Sequence, residues 1–120
     1  MCTPWDHKSV DILESFNVKA YKVASADLTN IPLIKKLCDT NKPLILSTGM
    51  SSIEEIKFTT DFLNKNNASF ALLHCNSTYP APIQDINLKW MNSLKDIHPI
   101  VGYSGHERGI NISLAAISMG

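Results

Sequence analysis

Pro99-Ile-Val-Gly-Tyr-Ser-Gly-His-Glu-Arg-Gly109 is the stretch from which the fold is read. It opens as a short apolar strand at Ile100 and Val101, breaks at Gly102, and runs into a small polar loop, Tyr103-Ser104-Gly105-His106. An apolar helical pattern resumes from Ile110 to Met119. A strand that stops abruptly and presents Ser and His ahead of a helix is how parallel α/β proteins offer chemistry. By itself, a histidine in a glycine-containing loop is a solvated turn residue. The rest of the chain decides between the two readings.

Working back towards the N-terminus, the same unit recurs. Phe70-Ala71-Leu72-Leu73-His74-Cys75 reads as a strand that ends in a polar loop, Asn76 to Pro82, stiffened by two prolines. A helix is expected from about Leu88 to Ile97, with Trp90, Met91 and Leu94 inward. Leu44-Ile45-Leu46-Ser47 is a strand stopping at Thr48-Gly49. The helix after it starts at a Ser51 or Ser52 cap with acidic residues in its first turn, and buries Ile53, Ile56, Phe62 and Leu63. Ala20 to Ser25 is a strand, and Asn30-Ile31-Pro32 opens the next helix, with Leu33, Ile34 and Leu37 inward. Asp6 caps a first helix from about His7 to Phe16. The order is α-β-α-β-α-β-α-β-α, with strand starts near Ala20, Leu44, Phe70 and Pro99. That spacing, roughly 25–30 residues, is one βα unit, and the alternation predicts a parallel sheet with right-handed crossovers. Continuously apolar strands predict a sheet covered on both faces. No glycine-rich phosphate fingerprint follows a strand, which argues against a Rossmann nucleotide site.

Composition narrows the partners. The chain has 120 residues, 44% hydrophobic and 18% charged, with a net charge of zero when histidine is neutral. No basic surface is advertised, so neither nucleic acid nor an anionic membrane is expected as a partner. No apolar run approaches the ~20 residues of a membrane span, and the N-terminus lacks the basic and apolar regions of a signal peptide. Three cysteines, Cys2, Cys38 and Cys75, have no metal-type spacing, and a reduced cytoplasmic compartment suits them.

The strand ends carry the chemistry. They present Lys22 and Ser25, then Ser47 and Thr48, then His74, Ser77 and Tyr79, then Ser104 and His106. In a parallel sheet or barrel these ends lie on one face. Several hydroxyls converging with a lysine suit a phosphate or carboxylate, and His106 suits a metal or proton transfer. Each residue also has a plainer role open to it. Serines at strand ends begin turns, Lys22 can snorkel to the surface, Asp27 can cap a turn, and Tyr79 can anchor a loop. His74, after two leucines, reads as a hydrogen-bonded core histidine.

Thr3-Pro4-Trp5-Asp6, Ala20 to Ser25, Ile45 to Met50, Leu72 to Pro80, and Gly102 to Glu107 form five segments in order. Together they resemble the sialic acid synthase family, whose members make N-acetylneuraminate, legionaminate or pseudaminate. The resemblance covers essentially the whole chain and rests on five motifs in register. It implies a partial (β/α)8 barrel of about four consecutive βα units. The implied reaction condenses phosphoenolpyruvate with an N-acetylated amino-hexose, N-acetylmannosamine or a related 2-acetamido sugar. The products are a nine-carbon 2-keto sugar acid and phosphate. C3 of the enol attacks the sugar aldehyde, water adds at C2, and phosphate leaves by C–O cleavage. A divalent metal, manganese or magnesium, is implied as Lewis acid.

Carried over by motif, Thr3, Lys22, Ser25, Ser47 and Ser104 would hold phosphoenolpyruvate, together with Ser77, which stands where some relatives have Asn. His106 would be one metal ligand. Asp27 would contact the amino-sugar, and Tyr79 would lie beside the substrates. His74 has no direct chemistry. The resemblance further implies that residues 1–120 are an internal section, without the first barrel strands, the last strand with its second histidine ligand, or the C-terminal antifreeze-like domain. Complete members are implied to be homodimers. Two other readings stand beside it. In one, Lys22 is the Schiff-base lysine of a class I aldolase, since burial lowers a lysine pKa. In the other, the 120 residues are an inactive remnant that binds phosphate weakly.

Overall fold

A computed structural model describes all 120 residues. Five helices alternate with four strands: α1 (His7–Ser15), β1 (Tyr21–Val23), α2 (Ile31–Cys38), β2 (Leu44–Ser47), α3 (Ile53–Lys65), β3 (Phe70–Cys75), α4 (Trp90–Lys95), β4 (Val101–Ser104) and α5 (Asn111–Ser118). Short 3-10 turns at Ser25–Asp27 and Ile83–Asp85 interrupt the connections after β1 and β3. All strand pairs are parallel, and the spatial order is β1-β2-β3-β4. Sequential order without a reversal, joined by right-handed crossovers, puts every helix on one face of the sheet. This is a sector of a (β/α)8 barrel rather than a doubly wound sheet. Cys2 extends the β1 edge through a single parallel bridge to Tyr21, with Lys22 N donating to Cys2 O at 2.8 Å.

Local chemistry sets the helix ends. Asp6 caps α1 by accepting from Ser9 N at 2.7 Å. Asn30 caps α2, which carries Pro32 in its first turn where a missing N–H costs nothing. Ser52, not Ser51, caps α3 in a reciprocal box: Ser52 Oγ accepts from Glu55 N, and Glu55 Oε2 accepts from Ser52 N at 2.7 Å. Asn17, Asn41 and Asn67, each just beyond one of these helices, adopt left-handed backbone with φ of 50°, 55° and 53°. Asparagine tolerates that conformation better than most residues.

Register divides the sheet by parity. Tyr21 aligns with Leu44 and Leu44 with Phe70; Val23 aligns with Leu46 and Leu46 with Leu72. These outward residues are all buried and form one core with Val10, Leu28, Leu33, Ile34, Leu37, Ile56, Leu63 and Leu94 from the helical layer and its connections. The alternate residues, Lys22, Ile45, Ala71, Leu73 and Gly102, lie on the inner face and are only half-buried. The expectation of strands covered on both faces is therefore corrected: helices cover the outer face alone. The buried side of α3 also differs. Ile56 and Leu63 are buried, but Ile53 and Phe62 are only partly so, and Thr59 and Thr60 take the remaining buried places. Their hydroxyls are satisfied there, Thr59 donating to Leu28 O at 2.9 Å and Thr60 to Ile56 O at 2.8 Å. The fourth helix is shorter than expected: Leu88–Lys89 and Asp96–Ile97 form turns at its two ends.

Candidate active site

The carboxyl ends of the four strands enclose a cleft of about 210 Å³. Lys22, Ser25, Ser47, Ser77, Ser104 and His106 all line it, one or two from each βα unit. Parity explains the convergence. Lys22, Ser47 and Ser104 are inner-face residues near strand ends, while Ser25, Ser77 and His106 follow in the loops. No aspartate or glutamate lines the cleft.

The hydrogen bonds within the cleft engage Lys22 and two of the serine oxygens. Lys22 Nζ donates to Ser47 Oγ at 2.5 Å and to Val23 O at 3.3 Å. Gly49 N donates to Ser25 Oγ at 3.2 Å. Both serine oxygens therefore act as acceptors within the protein, and each keeps its own O–H to give. Ser77 Oγ and His106 Nδ1 are out of solvent and have no partner. Burial pushes the Lys22 ammonium below the ordinary lysine range, a cost that an anion in contact with it would offset. One cation among four hydroxyls, with no competing carboxylate, is a chemistry suited to an oxyanion.

Gly49 is the hinge of this arrangement, and the sequence reading passed over it. A Cβ there would collide with Cys75 O and lie 2.7 Å from Ser77 Oγ. The β2 loop can therefore approach β3 closely enough to reach Ser25 only without a side chain. Cys75, Trp5 and Met50 complete the wall. Inner-face parity with Leu73 was the available signal for Cys75.

Three expected site residues lie outside this cleft. Thr3 borders a separate depression with Cys2, Pro4, Ser9, Ile12 and Leu13. Asp27 accepts from Asn30 Nδ2 at 3.0 Å through Oδ1, while its Oδ2 is buried without a partner. Tyr79 is 83% exposed, with its ring edge-on to that of His106 at 5.3 Å. His74 is buried on the outer face, its Nε2 bonded to Ile86 O at 2.5 Å, as a core histidine should be. For a metal, the cleft offers a single imidazole. No set of three His, Cys, Asp or Glu side chains converges anywhere in the chain, and a catalytic metal typically takes about three protein ligands. The residues present do not by themselves build a metal site.

Known proteins resemble this chain in sequence and in structure. N,N'-diacetyllegionaminic acid synthase of Campylobacter jejuni is 48% identical over 124 residues, covering all of this chain and 37% of that protein. Human N-acetylneuraminate-9-phosphate synthase is 36% identical, over 96% of this chain and 33% of its own length. The chain thus spans roughly a third of the curated relatives it matches. Among solved structures, the N-acetylneuraminic acid (sialic acid) synthetase of Leptospira borgpetersenii superposes with a TM-score of 0.94 at 37% identity, over 98% of this chain and 42% of that one. Spore coat polysaccharide biosynthesis protein SpsE of Bacillus subtilis gives 0.94 at 30% identity, over 98% of this chain and 34% of that one. No helix is long and apolar enough to cross a membrane. The family match runs from residue 1 to residue 120, through every strand end that lines the cleft, and by it the chain belongs to the NeuB family.

Proposed function

We propose that these four βα units are the anion-binding sector of a synthase that condenses phosphoenolpyruvate with an N-acetylated amino-hexose. The products are a nine-carbon 2-keto sugar acid and phosphate. The observation that carries this reading is the cleft itself: Lys22, four serines and His106 in one space with no carboxylate. Lys22 and the hydroxyls of Ser25, Ser47, Ser77 and Ser104 hold the phosphate and carboxylate of phosphoenolpyruvate. Donors fixed before the substrate arrives need no reorganisation as charge gathers on the departing phosphate. Thr3 borders the depression beside β1 rather than the cleft and is given no contact with this ligand; Asp27 contacts the amino-sugar, and Tyr79 lies beside the substrates over His106.

His106 would be one ligand for a divalent cation, manganese or magnesium, which would supply Lewis-acid chemistry; its other ligands would come from outside these residues. The working form is a cytoplasmic homodimer. In a protein with the complete barrel, alanine at Lys22 or at His106 is expected to abolish condensation. Near-normal turnover in both variants would sink the proposal.

The lowered Lys22 pKa also favours a second reading, a class I aldolase in which Lys22 forms a Schiff base with a keto acid. Against it, Lys22 Nζ already donates to Ser47 and Val23 O, contacts that suit a retained ammonium. Borohydride trapping with pyruvate separates the two: a covalent adduct on Lys22 means the aldolase, and its absence the synthase.

A further inference from the structure

Cys75 is the thiol that the proposed reaction leaves unused. It ends β3 in register with Ser104, on the same inner face as Ser47 and Lys22, which line the same cleft. It is 5% exposed and in no disulfide, yet it lines the anion cleft. With Met50 and Ser77 it also walls a second depression of about 510 Å³. The thiol does not stand alone. Ser77 and His106 line the same cleft, and Ser77 Oγ and His106 Nδ1 bond nothing within the protein, so the polar groups around the thiol are not all consumed by the fold.

We propose that Cys75 is a covalent-modification site for small electrophiles that carry a carboxylate. The anion seats on Lys22 and the serine hydroxyls and so presents its electrophilic carbon to Sγ. With iodoacetate, the thiolate attacks the methylene carbon, the S–C bond forms as C–I breaks, iodide departs, and the thiol proton passes to solvent. The proposal rests on the reading of the cleft as an anion site but not on which anion is the substrate.

The test is the rate of alkylation at each cysteine of the 120-residue protein, followed by peptide mass spectrometry, with iodoacetate and with neutral iodoacetamide. At Cys75 iodoacetate is expected to react faster by about tenfold, the low end of electrostatic focusing in a charged cleft. Inorganic phosphate should protect Cys75 and leave half-buried Cys2 unprotected. Lys22→Met should remove the preference for iodoacetate. Cys38, 8% exposed in the helical core against 5% for Cys75, borders no cleft, so a rise in its labelling marks loss of the fold. If Lys22→Met exposes Cys38, phosphate protection of the unmodified protein decides the matter. Equal rates with the two reagents, or no protection by phosphate, would overturn the proposal. Protection by phosphate but not by phosphoenolpyruvate would sink the synthase reading and leave this one standing. Phosphoenolpyruvate binding with an inert Cys75 would do the reverse.

Discussion

The two faces of this sheet use the same strands and obey different rules. On the outer face every buried polar side chain finds a partner: His74 bonds Ile86 O, and Thr59 and Thr60 bond Leu28 O and Ile56 O. At the carboxyl ends and the inner face the rule fails. Asp27 Oδ2, Ser77 Oγ and His106 Nδ1 are the buried side-chain polar atoms without a partner, and all three lie in loops leaving β1, β3 and β4. Folding alone satisfies buried polar groups, because an orphan costs roughly 1–3 kcal/mol. Orphans gathered in one region are tolerated where a ligand completes them. Consecutive residues show the division most sharply. His74 faces outward and bonds Ile86 O, whereas Cys75 faces inward and lines the cleft.

The largest effect should come from damaging the covered face. Leu46 is fully buried at the centre of the core, and Leu46→Ala is expected to lower stability by about 3 kcal/mol through lost transfer energy and the cavity left behind. Urea unfolding measures it. Sulfate affinity of the folded protein should hold, because Leu46 lies on the face opposite the cleft. Equal losses of stability and of sulfate binding would mean that the two faces are not separable.

Lys22→Met reverses the pattern. Sulfate affinity should fall by about 2 kcal/mol, the worth of a charged hydrogen bond, with stability held or raised, since a desolvated charge is removed. Titration gives the same contrast within one molecule. Burial lowers the Lys22 pKa below that of the unfolded chain. As pH rises through the lowered value the ammonium is lost, and sulfate, which stays dianionic, should bind more weakly. Between the lowered and ordinary values the unfolded chain holds the extra proton, so the Lys22 contribution to stability rises with pH. Calorimetric titration should therefore show sulfate affinity falling across alkaline pH, while the urea-midpoint difference between the protein and Lys22→Met, in which the opposing contributions of Tyr21 and Tyr103 cancel, moves in favour of the protein; a flat difference would remove Lys22 as the cause.

Much of this division can be read from residue types. The α/β alternation, the caps at Asp6 and Asn30, and the cluster at the strand ends follow from local chemistry that a sequence displays directly. What it conceals depends on register. Apolar inner residues such as Ile45, Ala71 and Leu73 look like core, and only strand pairing shows that they face away from the helices. Thr59 and Thr60 look like surface until the carbonyls that accept their hydroxyls are known. The loop at Gly49 reads as a turn, whereas the glycine is needed for contact with a strand about two dozen residues on. Ser25 was read as the end of a strand, yet it begins a 3-10 turn whose geometry carries its hydroxyl to Gly49 N. Membership in the family was legible from five short motifs; the exclusion of Thr3, Asp27 and Tyr79 from the cleft was not, because motif order says nothing about which way a loop side chain turns.

The smallest effects offer the sharpest discrimination, because they compare one hydroxyl on each face. Thr59→Val keeps the shape of the side chain and strands Leu28 O in the core without its donor. A loss of about 1 kcal/mol in stability is expected, with no change in sulfate affinity. Ser77→Ala deletes a hydroxyl that bonds nothing within the protein. Its removal relieves an unpaired buried group, so stability should stay level or rise by a few tenths of a kcal/mol, while sulfate affinity falls by about 1 kcal/mol. The two substitutions should thus change opposite observables. If Ser77→Ala destabilised the chain as Thr59→Val does, its hydroxyl would have a structural partner and the cleft one donor fewer. If it changed neither, the orphaned oxygen would face no ligand, and the anion site would contract to Lys22, Ser25, Ser47 and Ser104.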